Sequence, residues 1–138
     1  MQDRLAEVLE EVLALNREED GAITLQHDGT VASLRVVEIA EGLELVSLTQ
    51  ILAWDLPLDA KLRAAVADHA HHTLLGTVSL ATKGGHTQVA AGAKRNSKKA
   101  ADVLLRYNFP AAGLTDDALR TLILMVLSTG SDVRRALV

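Results

Sequence analysis

The chain contains no cysteine, which excludes disulfides, iron–sulfur clusters, thiolate zinc sites and thiol catalysis, and fits a reducing cytosol. Aromatics are reduced to Trp54, Tyr107 and Phe109, so the core is aliphatic and aromatic stacking is not its main means of recognition. Long apolar runs are missing as well. The longest, Leu122 to Leu127, falls far short of the roughly 20 residues that cross a bilayer. The opening stretch MQDRLAEVLEEVLALNREED sets acids among its leucines, whereas a signal peptide needs a basic start and an unbroken apolar run. We therefore expect no targeting segment, no membrane span and a cytoplasmic location.

What remains is 138 residues of which 49% are apolar, enough for one domain that buries about two-thirds of its extended surface. Charge is unevenly placed. Residues 1–44 hold eleven acids and three bases, a net of −8, while residues 45–138 hold seven acids and eleven bases, a net of +4. The two halves attract each other, either within one fold or between two copies.

Leu5, Val8, Leu9, Val12 and Leu15 recur at helical spacing and predict a first helix from about Asp3 to Asn16, with a turn at Gly21. Three alternating stretches follow, Ala22–Gln26, Val31–Ile39 and Leu43–Leu48, punctuated by Asp28-Gly29 and Glu41-Gly42 in the manner of an antiparallel meander. Residues 53–57 interrupt that pattern, and Asp59–His72 predicts a second helix. A strand over Leu74–Thr82 can turn at Lys83-Gly84-Gly85 and return over His86–Ala93, before a basic stretch over residues 94–99 that reads as a solvated loop. Ala101–Phe109 reads as a further strand. Thr115 is the candidate N-cap of a last long helix that Gly130 closes, with Ser131 capping a short helix to Ala136. The expected fold is α+β, an antiparallel sheet of five to six strands with helices packed on one face, in the order α-βββ-α-ββ(β)-α, as one domain over 1–138.

Two stretches carry a resemblance. His72-Thr73-Leu74-Leu75-Gly76-Thr77-Val78-Ser79-Leu80, and Asp102-Val103-Leu104-Leu105-Arg106-Tyr107 leading through Pro110 and Gly113-Leu114 to Leu119 and Leu122, are similar to those of the YbjN and type III secretion chaperone-like group. The element order resembles that group over almost the whole chain. Residues 83–100 make a longer and more basic connection than the group's pattern. The resemblance implies a non-catalytic, usually dimeric protein that binds another polypeptide or regulates by interaction, and it brings no catalytic residues to carry over.

Candidate chemistry is sparse. In Asp68-His69-Ala70-His71-His72, His69 and His72 share a helix face at i, i+3 and Asp68 joins His72 at i, i+4, which could offer part of a zinc or nickel site. The plainer alternative is three histidines against the negative end of their own helix. Residues 83–106 hold six bases and one acid, a local positive field, yet no aromatic in the loop and no known nucleic-acid motif accompanies it, so nucleic acid is not expected as a partner. No Gly-x-Ser-x-Gly elbow and no phosphate-cradling glycine loop is present. Trp54 is expected beneath a loop; if exposed beside Leu56 and Leu58 it makes an apolar patch of the kind interfaces use. The leading expectation is a non-catalytic, chaperone-like or regulatory homodimer, needing no cofactor, that offers an apolar sheet or helix surface to a polypeptide partner, with Trp54, Leu56 and Leu58 as candidate partner-binding residues. The alternative is a metal- or small-ligand-binding protein, or a weak enzyme, using His69, His71 and His72, with Asp68, His69 and His72 as the candidate metal ligands.

Overall fold

The structure is a computed structural model that describes residues 1–83 and 99–138. Three helices and a six-stranded antiparallel sheet follow the order α1 (Gln2–Glu10), β1 (Asn16–Arg17), β2 (Ile23–His27), β3 (Thr30–Ala40), β4 (Leu43–Pro57), α2 (Ala60–His72), β5 (Thr77–Lys83), β6 (Ala100–Pro110) and α3 (Asp116–Leu137). The sheet order is β1-β2-β3-β4-β6-β5. The fold class is the expected one. Helix α2 is the crossover from β4 over β6 to the edge strand β5, so one face of the sheet must carry it.

Alternation decides which face is covered. Val46, Leu48 and Gln50 of β4 are fully buried, as are Leu34 and Ala32 opposite them on β3 and Leu105 on β6. The same cluster holds Leu5 and Leu9 of α1, Leu62 and Val66 of α2, and Leu119, Ile123, Val126 and Leu127 of α3. Period two in the strands and period 3.6 in the helices thus meet in one aliphatic core.

Local chemistry sets the ends. The Asp59 carboxylate accepts from Leu62 N at 2.8 Å and starts α2. Thr115 Oγ1 accepts from Ala118 N at 3.0 Å and starts α3, with Asp116 and Asp117 in its positive first turn. Between β2 and β3, Asp28 and Gly29 take φ of 47° and 84°, the two positive values that a tight Asp-Gly hairpin turn demands.

Three boundaries differ from expectation. Helix α1 stops at Glu10, because Arg17 reaches back to Glu10 at 2.9 Å and Asn16–Arg17 pairs with Ile23 and Thr24; Val12, counted into the helical stripe, is 47% exposed. Strand β4 runs through the expected interruption to Pro57, absorbing extra residues by register shifts between Ile51 and Leu56. Asp55 takes φ 55° there and its N–H is held by Asp102 Oδ1 at 3.0 Å. Helix α3 does not stop at Gly130 but continues unbroken for 22 residues. Gly130 is buried inside it, and an ideal Cβ there would come within 2.7 Å of Gln50 Nε2 and closer still to Oε1. The glycine lets the helix settle onto a buried amide. Ser131 is likewise no cap, being 1% exposed in the helix interior. Strand β5 pairs along its whole length with β6, from Thr77↔Arg106 to Lys83↔Ala100; the expected return strand over 86–93 and most of the basic stretch lie outside the described residues.

Candidate interaction surface

His27 Nδ1 lies 2.7 Å from Ser131 Oγ, the one imidazole–hydroxyl pair among the hydrogen bonds of the described residues. The serine is sealed from solvent and embedded in α3, so no substrate carbonyl can reach its oxygen. The pair fastens the β2–β3 hairpin to the helix. Beside it, Gln50 Nε2 donates to Thr30 Oγ1 at 2.9 Å and to Leu127 O at 3.1 Å, Thr30 Oγ1 donates to His27 O at 2.6 Å, and Arg134 Nη1 donates to Leu52 O at 2.8 Å. Gln50 Oε1 accepts nothing. This network is a positioning device for α3.

The histidines of α2 do not converge. His72 Nδ1 turns back to Asp68 O at 2.9 Å, with Asp68 Oδ1 at 3.5 Å, and its ring meets that of His71 edge to face. His69 uses its carbonyl to hold Thr73 N and Oγ1. Among the described residues no group of three or more His, Asp or Glu side chains could hold a metal ion. Trp54 is 40% exposed, against the expectation of burial, because the register shift after Ile51 carries it out of the core. Leu56 and Leu58 are half-buried and packed against the core.

The larger feature is the second face of the sheet. Residues opposite each other across strands share a face, and the registers arrange that face in four rows. Val31, Ile51 and Leu104 form an apolar row, ended by Gln26 and Ser79. The next row is Thr24, Ser33, Thr49, Arg106 and Thr77, four hydroxyls and one guanidinium across five strands. Arg35, Ser47 and Asn108 follow, and then Val37, Leu45 and Pro110. None of Val31, Leu45, Ile51 and Leu104 packs against the core. The helices cover the other face, and among the described residues this banded surface is left without a covering layer.

Its two margins differ in charge. Near β2, Glu18, Glu19 and Asp20 line a shallow depression with Thr24, Ser33 and Arg35; Glu18 Oε2 accepts from Thr24 Oγ1 at 2.8 Å, and Arg35 pairs with Asp20 at 2.7 Å. The Asp20 carboxyl is held below its ordinary range, first by the Ala22 N–H and then by Arg35. Near β5, a second depression is lined by Gly76, Thr77, Ser79, Tyr107, Asn108 and Arg106. Arg106 is exposed and has no ion-pair partner among the described residues. Part of the charge asymmetry is spent within the fold, where Arg120 pairs with Glu11 at 2.9 Å and Arg135 stands 3.9 Å from Asp28. This second face was not singled out from sequence. Its signal was there in the Ser and Thr residues that alternate with aliphatics in β3, β4 and β5.

Set against solved structures, the chain is similar to the crystal structure of YbjN, a candidate transcription regulator from E. coli, with a TM-score of 0.67 over 96% of this chain and 87% of that one, at 11% sequence identity. The fold is that of YbjN. The likeness agrees with the resemblance read from the residues. At this identity the YbjN likeness describes the fold alone. No family model and no curated protein matches the sequence. Among the described residues no helix is long and apolar enough to cross a membrane.

Proposed function

We propose that the chain is a non-catalytic interaction module, chaperone-like or regulatory, that acts in the cytoplasm as a homodimer and holds another polypeptide through apolar surface. The observation that carries this reading is the one-sided sheet. A domain that has aliphatic residues to spare, yet leaves Val31, Ile51, Leu104, Val37 and Leu45 outside its core, keeps that surface for contact. Exposed Trp54 adds an anchor of the type that contributes most at interfaces. A regulatory role by protein contact is in keeping with the description of E. coli YbjN as a candidate transcription regulator. The net charge of −4 speaks against direct DNA binding as the means.

The test is site-specific photo-cross-linking in the native cell from position 54, with position 128 on the polar side of α3 as the control. Adducts to a distinct polypeptide from position 54 alone are expected. Equal labelling from both positions, or none from either, would overturn the reading.

A further inference from the structure

We infer that the sheet face left uncovered among the described residues docks a second copy of this chain, face to face, about a twofold axis that runs along the strands between β3 and β4. The inference rests on the homodimer reading above and adds the surface, the axis and the pairs. Area is sufficient. Six strands about 4.8 Å apart span about 24 Å, and four rows about 6.7 Å apart span about 20 Å, so two such faces bury on the order of 1,000 Å², the lower bound for a specific interface.

Charge selects the axis. The acidic depression with Glu18, Glu19 and Asp20 and the depression with Arg106, which has no ion-pair partner among the described residues, lie on the same face, at the same height along the strands, at opposite margins. A twofold axis parallel to the strands preserves height and exchanges margins, which sets Arg106 against Thr24 and Glu18 of the second copy, twice per dimer. An in-plane axis across the strands would instead set Arg106 against Arg106 and Glu18 against Glu18, and like charges facing each other disfavour it. The same axis lays Ile51 on Val31, Thr49 on Ser33 and Leu45 on Val37 of the second copy. Apolar rows thus meet apolar rows and hydroxyls meet hydroxyls, at the aligned angle usual for packed sheets. The arrangement leaves Trp54, beyond the last row, to the other partner.

Charge reversal tests this. Arg106→Glu and Glu18→Arg are each expected to raise the dimer dissociation constant about tenfold or more, and the double variant to return it toward the wild-type value. Because the chain has no cysteine, Gln26→Cys/Leu104→Cys offers an independent measurement that does not depend on either charge variant folding. Facing positions on sheets packed about 10 Å apart are beyond the reach of a disulfide but within that of a short thiol-to-thiol linker spanning about 8 Å, whereas within one chain the two positions are three strand spacings apart, about 14 Å, too far for the same linker. Treatment with the linker is therefore expected to give a covalent dimer. A wild-type dimer that ignores both reversals and forms no such cross-link overturns this inference and leaves the homodimer reading standing on another surface. A wild-type monomer overturns both, as does a monomer whose sheet face is filled by an acidic peptide.

Discussion

Gly130 of α3 lies directly over the buried amide of Gln50, with no room between them for a methyl group. The hydrogen that glycine carries in place of Cβ faces Oε1, the one buried side-chain acceptor left unpartnered among the described residues. Gly130→Ala gains about 1 kcal/mol of helix propensity and incurs an overpacking cost of about 1–3 kcal/mol. We expect a net loss of stability in urea denaturation, and we expect that loss to vanish in a Gln50→Ala background, because the two residues act as one unit. An equal cost in both backgrounds would contradict the contact.

Gln50 itself is expected to be replaceable. Leaving a buried acceptor unpaired costs about 1–3 kcal/mol, so Gln50→Met removes a penalty along with two hydrogen bonds. Its unfolding free energy from urea denaturation should stay within about 1 kcal/mol of wild type or rise. Glu at the same place, a buried charge without a cation, should unfold the domain.

Caps act locally. Thr115→Ala and Asp59→Ala each remove a side-chain acceptor from a helix N-terminus and should lower stability by about 1 kcal/mol, while Thr115→Asp should hold it. Urea denaturation followed by circular dichroism reads both.

Asp20 gives a pH signature. Its folded-state value is lowered, so the stability it contributes is complete above the ordinary carboxylate range and is lost as pH falls through the lowered folded value. Since the Ala22 N–H is the larger cause and Arg35 the second, Arg35→Ala should move the carboxyl titration seen by NMR only part of the way back. A full return would assign the shift to Arg35 alone.

With His72 turned onto its own helix, zinc or nickel should leave the melting temperature unchanged. A rise that a chelator reverses would restore Asp68, His69 and His72 as ligands.

Much of this architecture could be read directly. Thr115 before two aspartates, Asp59 before an apolar stripe, and the Asp28-Gly29 turn each specify their element by local chemistry. The errors share a physical cause, which is that a local signal was overruled by a contact distant in sequence. Gly130-Ser131 spells a helix stop, yet Gln50 and His27, about 80 and 104 residues away, turn the same pair into packing. Trp54 to Pro57 spells a break, yet pairing with β6 extends the strand through it. The surface was legible only in half. Alternation of Ser and Thr with Val and Leu marks two faces, but which face the helices cover is decided by the crossover of α2 and the seating of α3.

The central claim is that the open face is kept for a partner, and Ile51 stands in the middle of it. Sedimentation equilibrium of wild type and Ile51→Asp tests this most directly. Wild type is expected at twice the 14.7 kDa chain mass, and the variant, with unchanged circular dichroism, at the chain mass itself. A variant that stays associated, or one that unfolds because Ile51 belongs to the core, would contradict the account.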